Sequence, residues 1–118
     1  MASSNLTLTT KAREGGVFGV TVSFKDTDGT TAVTPDSASW SLYSKTDQIV
    51  NSRTDVSIAA PSTSNTIVLS GNDLRLTDTD KRKLVVTYQY DSATLGNNVV
   101  DVVQISFDIE AVAGEEST

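Results

Sequence analysis

The sequence predicts an all-β protein that folds as one antiparallel β-sandwich of seven or eight strands. Two observations predict this fold class. Apolar and polar residues alternate in segment after segment, and turn-forming segments separate these runs at intervals of about 8 to 15 residues. Helical periodicity is scarce. The 118 residues are expected to form one domain, 1–118, with flexible termini at about 1–4 and 113–118.

The first strands carry the clearest alternation. A short strand is predicted over Leu6 to Thr10. The next strand runs from Val17 to Lys25, and its inward face holds Phe18, Val20, Val22 and Phe24. Asp26 to Gly29 then has the composition of a tight turn, because Asp bonds nearby amides and Gly accepts a positive φ.

The middle of the chain holds the single tryptophan. A strand over Ser37 to Ser44 places Trp40 on its inward face, which predicts a core residue rather than an exposed platform for sugars. Ile49-Val50 begins a short edge strand, and another alternating run follows from Val56 to Ala60. A strand over Thr66 to Ser70 leads into a helical turn capped by Ser70 or Asn72.

The longest strands come last and are joined as a hairpin. The first covers Arg82 to Tyr90 and the second Val99 to Val112, with Asp91 to Asn98 between them. The inward positions are predicted to be Leu84, Val86, Tyr88, Tyr90, Val99, Asp101, Val103, Ile105, Phe107 and Ile109. Around Val99 to Val102 both faces are apolar, which predicts a bulge or a contact with another chain.

The strand number and the position of Trp40 on the third strand favour a sandwich of immunoglobulin-like type. No Cys pair flanks Trp40, and no tyrosine-corner pattern precedes Tyr88, so a true antibody-like domain is not indicated. A jelly roll or an open barrel is the structural alternative.

Composition excludes several kinds of chemistry. The chain has neither Cys nor His, which removes thiol nucleophiles, imidazole bases, the usual zinc sites and disulfides. The net charge of -6 argues against a nucleic-acid partner. Lys81-Arg82-Lys83 is the one basic cluster, and it is interpreted as a solvated strand edge.

Two acidic segments invite a functional interpretation, Asp26 to Gly29 and Thr77 to Asp80. Both lack the further ligands of a calcium loop, so plain turns are expected and a weak shared cation site is the alternative. A carboxylate pair that hydrolyses glycosides is a third option. Nothing in these turns, however, would raise the pKa of one carboxyl group so that it could act as the acid. The sequence therefore predicts no enzyme, no metal and no cofactor.

The chain shows no signal-peptide pattern and no apolar run of about 20 residues, so neither secretion nor a membrane is expected. Synthesis in the cytoplasm is the corresponding expectation.

Four segments together resemble a known class of proteins. These are 22–29 (VSFKDTDG), 34–42 (from Thr34-Pro35 to Trp40-Ser41-Leu42), 49–53 (IVNSR) and 67–74 (IVLSGNDL). Their arrangement is similar to that of small Ig-like virion proteins of tailed bacteriophages and prophages. The resemblance implies a virion component, such as a capsid decoration (cement) protein, a head-tail joining component or a tail protein. It carries over no functional residues, because the matching positions are core and turns.

A structural protein of this kind works through its contacts with other virion proteins, such as the major capsid protein, or with further copies of itself. The termini Met1 to Thr10 and Ala111 to Thr118 are hypothesised to act as arms that order on neighbouring subunits. The rival function is a carbohydrate- or receptor-binding module, for which Tyr43 and Tyr90 are the candidate aromatics. The candidate contact residues are Val99, Val100, Val102, Leu6, Leu8 and Tyr43.

Overall fold

The computed structural model describes residues 3–8, 10–26, 30–75, 81–92 and 95–110. Within these ranges the chain forms eight strands and one short 3-10 helix. They are β1 (Ser3–Thr7), β2 (Ala12–Arg13), β3 (Val17–Ser23), β4 (Ser37–Ser44), β5 (Val56–Ser57), β6 (Ser64–Ser70), the helix (Gly71–Leu74), β7 (Lys81–Ser92) and β8 (Gly96–Glu110).

The strands form two sheets, and the predicted all-β class is confirmed. The large sheet has the order β1-β8-β7-β4-β5, with β2 also paired to β8, and the small sheet consists of β3 and β6. The prediction of purely antiparallel pairing is wrong for the N-terminal strands, because β1 and β2 both run parallel to β8. The large sheet is therefore mixed.

The length of β8 explains the parallel pairing. This strand runs from Gly96 to Glu110, and only one of its edges is used by β7. The N-terminal segment runs along the other edge, first as β1 and then as β2, and between them Leu8 N–H donates to Ser106 O at 2.8 Å. One extended segment thus covers an edge that would otherwise leave backbone groups unpaired.

The core lies between the two sheets and confirms the predicted inward faces. Trp40 is 7% exposed, and the inward positions of β3, β4 and β7 are buried or packed against the core. Aromatic contacts join the sheets, with ring centroids 4.9 Å apart for both Phe18–Phe107 and Phe24–Tyr88. Such tilted and edge-on pairs add to the burial of the rings themselves.

The predicted β7–β8 hairpin is present, but both strands extend further into the connection than expected. The register shifts between the pairs Tyr90–Val99 and Ser92–Gly96, which places a bulge just before Val99. Gly96 has a φ of 98° there, a conformation that favours glycine. The bulge therefore lies next to the two-sided apolar stretch from which it was predicted.

The basic cluster differs from its prediction. Arg82 is 1% exposed rather than solvated, because it lies on the inward side of β7 in line with Leu84. Its guanidinium donates to the backbone oxygens of Asp73 (3.1 Å), Lys81 (2.9 Å) and Arg75. Arg82 thus ties the start of β7 to the 3-10 helix that follows β6.

The described part of the N-terminus is a strand of the large sheet, and this changes the interpretation of the predicted arms. Residues 1–2 and 111–118 lie outside the described residues. Ser3 to Thr7 form β1 within the large sheet of the same chain. For that segment, the interpretation as an arm on a neighbouring subunit is replaced by an intramolecular strand.

Candidate functional site

The structure does not bring the predicted contact residues together at one place. Val100 and Val102 face outward from the large sheet, whereas Val99 and Leu8 are partly buried and pack against the core. Leu6 lies in β1, in register with Ile105. Tyr43 shares the outward side of the large sheet, but it lies about 20 Å along β4 from the row that contains Val100.

The outward side of the large sheet, around Val100 and Val102, is the candidate functional site, hereafter the outer face. No strand or helix among the described residues packs over it. Cross-strand rows of side chains build it, for example Ser37–Gln89–Val100 and Ser39–Thr87–Val102. The outer face comprises Ser37, Ser39, Val85, Thr87, Gln89, Val100, Val102 and Gln104.

The sequence produces this face through alternation. In β4 the inward positions Ala38, Trp40 and Leu42 are apolar and three of the four outward positions are serines, while β7 and β8 place Val, Thr and Gln outward along the outer face. Small side chains on β4 leave a shallow groove of about 280 Å³, lined by residues that include Ser39, Thr87 and Val100. The result is a surface of hydroxyl, amide and valine groups without a formal charge.

Charged residues lie beyond both ends of the outer face: the exposed Asp91 follows Gln89 at one end, and two ion pairs lie at the other. Lys81 Nζ lies 2.7 Å from Asp108 Oδ1, and Lys83 Nζ lies 2.7 Å from Asp47 Oδ1. The hydrogen bond from Lys81 lowers the pKa of Asp108. These exposed pairs contribute little to stability, but they leave the centre of the face neutral. A neutral, half-apolar sheet face is suited to contact with another protein surface.

A second polar arrangement surrounds Asp73 in the 3-10 helix. Asp73 is fully buried and accepts hydrogen bonds from Arg53 Nε at 2.8 Å, Asn51 Nδ2 at 2.9 Å and Ser70 N–H at 3.0 Å. A tight turn presents the first two donors. Asn51 and Ser52 both have positive φ, and Arg53 N–H donates to Val50 O. Burial alone raises the pKa of Asp73, but these donors outweigh it and hold the pKa below its usual value.

This arrangement predicts how stability depends on pH. Because the pKa of Asp73 is lowered by folding, its contribution is fully present above the ordinary carboxyl value of 3.8 and is lost as the pH falls through the folded pKa. Asp73→Asn should lower the free energy of unfolding by about 2 kcal/mol at neutral pH. The figure is moderate because 38% of the Arg53 side chain stays exposed and can be rehydrated.

Urea unfolding at neutral pH and at about pH 2 measures this difference. The loss caused by Asp73→Asn should shrink at the lower pH, because the stabilisation by the Asp73 carboxylate is lost as the pH falls through its lowered pKa. Asp36→Asn, at an exposed carboxylate, is the control and should have little effect at either pH. An equal loss from Asp73→Asn at both pH values would contradict the assigned role.

Asp26 is buried and forms hydrogen bonds with the C-terminal end of β7. Asp26 is 6% exposed, and its Oδ1 accepts hydrogen bonds from Ser92 Oγ at 2.8 Å and from Tyr90 Oη at 3.3 Å. Burial, together with the nearby carboxylates of Asp26 and Asp101, raises the pKa of Tyr90 to about 12. Tyr90 therefore keeps its proton at neutral pH and donates it to this hydrogen bond.

The remaining parts of the predicted cation site lie at residues 27–29 and 76–80, outside the described ranges. Asp26 contacts the C-terminal end of β7, whereas Lys81 begins that strand. In the part of the chain that the structure describes, no three acidic side chains come together in a way that could hold a metal ion. Among these residues there is also no helix with the length and apolar character needed to cross a membrane.

Several buried charged positions were not predicted from the sequence, among them Asp73 in the expected helical turn and Arg82 in the expected solvated edge. Asp101 lies on the inward face, as predicted, and is also buried. Period-two alternation already puts Arg82 and Asp101 inward, since each lies two residues from an inward apolar residue. No such signal exists for Asp73, whose partners Asn51 and Arg53 are distant in sequence.

Comparison with known proteins gives no relative on which to base an assignment: no protein-family model, no curated protein and no solved structure matches this chain.

Proposed function

We propose that this chain is a non-enzymatic structural protein of a tailed-phage virion, in the first place a capsid decoration protein that binds the assembled head. The virion assignment rests on the resemblance of four strand and turn segments to small Ig-like virion proteins. The geometry bears on how such a protein would bind, which is through a sheet face rather than through a catalytic cleft.

We also propose that the two sheets form an immunoglobulin-like sandwich. The order β4-β7-β8 in one sheet, opposite β3-β6 in the other, corresponds to strands C-F-G and B-E of that fold. β5 extends the sheet beyond β4, as an added strand does in variable-type domains. Arg82, at the start of the strand that corresponds to F, bonds backbone oxygens upstream, where a tyrosine corner would do so.

The observation that carries the proposal is the outer face. Its central rows expose Val100 beside Thr87 and Gln89, with no charged side chain among them. The cores of protein interfaces are depleted in charge, and hydroxyl and amide groups supply their hydrogen bonds. A chain with a net charge of -6 that keeps one broad face neutral is therefore well suited to attach to a protein shell.

A head-tail joining or tail component would use the same face. The position of the protein on the particle distinguishes these roles from capsid decoration. The carbohydrate-binding alternative is weakened by the positions of its two aromatics. Tyr90 is fully buried, and Tyr43 is half-buried beside Lys83. No specific contact favours this alternative.

Particle occupancy tests the proposed function. Particles produced from the phage or prophage that encodes the chain should contain the protein in a fixed ratio to the major capsid protein, as measured by quantitative mass spectrometry. Separation of heads from tails before the measurement should place it in the head fraction. Purified particles that lack the protein would contradict the proposal.

A further inference from the structure

The small sheet has two outer edges that pair with no other strand of the described residues. It consists of β3 and β6, paired from Val17–Ser70 to Ser23–Ser64, and no third strand among the described residues joins it. Proteins protect such edges with charged residues, proline, bulges or very short strands, because an open edge can pair with another chain. β3 and β6 each run for seven residues without a charged residue or a proline.

The hydrogen bonds at both ends of the small sheet show which backbone groups point outward. Phe24 N–H donates to Thr63 O, and Gly71 N–H donates to Gly16 O. Because hydrogen-bonded and non-bonded pairs alternate in an antiparallel ladder, every second residue of β6 from Thr63 faces β3. The backbone N–H and C=O groups of Thr66 and Val68 therefore face the open edge of β6.

The surroundings of this edge are apolar and uncharged. A groove of about 370 Å³ runs beside it and is lined by residues that include Trp40, Ile58 and Ile67. Val68 is 58% exposed at its border. From Val56 to Asn72 the sequence contains no charged residue, although the whole chain carries a net charge of -6.

We propose that a second copy of this chain pairs with the open edge of β6, antiparallel and related by a twofold axis at Ile67. In this register Thr66 lies opposite the second copy's Val68, so that the outward backbone groups of both residues are paired. Ser64 lies opposite the second copy's Ser70. Because Ser64 O accepts from Ser62 Oγ and Ser70 N–H donates to Asp73 within the same chain, the new hydrogen bonds are those of Thr66 and Val68. Two acidic molecules can meet here because no like charges are brought opposite each other.

The composition of the two edges favours β6 over β3. At the centre of β6, pairing places the β-branched residues Thr66 and Val68 opposite each other, a combination that stabilises sheets. The equivalent position in β3 contains Gly19, which contributes no side chain and weakens a strand. The pairing is consequently isologous, between two β6 strands, and leaves the outer face of the large sheet free in both copies.

Proline substitutions at matched positions test the proposal. Val68→Pro removes an N–H that faces only the open edge of β6, so the hydrogen bonds to β3 are kept. Thr21→Pro makes the equivalent change at the open edge of β3, since Thr21 is the cross-strand partner of Thr66. The readout is the mass of the purified full chain by sedimentation equilibrium over a range of concentrations.

The wild type and Thr21→Pro should form dimers, and Val68→Pro should raise the dimer dissociation constant by more than about tenfold. A wild-type chain that stays monomeric at every concentration would overturn the proposal, as would dimers lost in Thr21→Pro and kept in Val68→Pro. Hydrogen exchange on the wild type supplies a readout that needs no variant. The amides of Thr66 and Val68 should become protected as the concentration rises, whereas unchanged exchange at both would also overturn it.

Discussion

Replacement of Arg82 by methionine is expected to lower the free energy of unfolding by about 3 kcal/mol. The methionine fills much of the same volume but cannot donate to the backbone oxygens of Asp73, Lys81 and Arg75. The bond to Asp73 O is buried and the other two are partly buried. A buried carbonyl without a donor costs free energy, because it loses the hydrogen bonds that water gives it in the unfolded chain. Urea unfolding followed by circular dichroism measures the change.

The adjacent residue provides the matched control for this prediction. Lys83 lies on the other side of β7 and forms an exposed ion pair with Asp47. Lys83→Met should therefore change the free energy of unfolding by no more than about 0.5 kcal/mol. Equal effects of the two substitutions would mean that Arg82 does not hold the start of β7 to the 3-10 helix.

Replacement of Trp40 by alanine is expected to cost about 4 kcal/mol, the largest loss from any single substitution considered. Trp40 is 7% exposed in the core between the two sheets. The Arg53 Cζ atom lies 5.8 Å from the centroid of the Trp40 ring. The substitution removes the largest apolar side chain on β4 and leaves a cavity between the sheets. Far-UV circular dichroism during urea unfolding is the suitable measurement, because the variant has no tryptophan fluorescence.

Tyr43→Ala serves as the control for Trp40→Ala, since Tyr43 belongs to the same strand but faces outward and is half-buried. A loss of about 1 kcal/mol is expected for it. A loss from Trp40→Ala as small as that from Tyr43→Ala would contradict the placement of Trp40 in the core.

Alternation in the sequence was sufficient to predict the core but not the pairing of strands. The inward sets of β3, β4 and β7 follow from period two, because burial on one face of a strand selects apolar residues at every second position. Alternation carries no information on direction, however. The parallel course of β1 and β2 along β8 depends on which edge is free, and that is a property of the assembled sheet.

The break in alternation from Val99 to Val102, where both faces are apolar, predicted part of the candidate site. Val100 and Val102 of this segment lie on the outer face. The rest of that face, such as Ser39 and Thr87, consists of ordinary polar strand residues. Such residues become a surface only when β4, β7 and β8 lie side by side, so no local pattern in the sequence could mark them.

The central claim is that the outer face attaches this protein to the virion. Its most direct test measures how much of two arginine variants binds to particles. Thr87→Arg places a long charged side chain in the centre of the outer face, whereas Thr21→Arg makes the same change on the exposed side of the small sheet. Both variants are added to particles that lack the protein, and bound protein is measured by co-sedimentation. The proposal predicts that Thr87→Arg reduces occupancy more than about tenfold while Thr21→Arg binds like the wild type. Full occupancy by Thr87→Arg would contradict it.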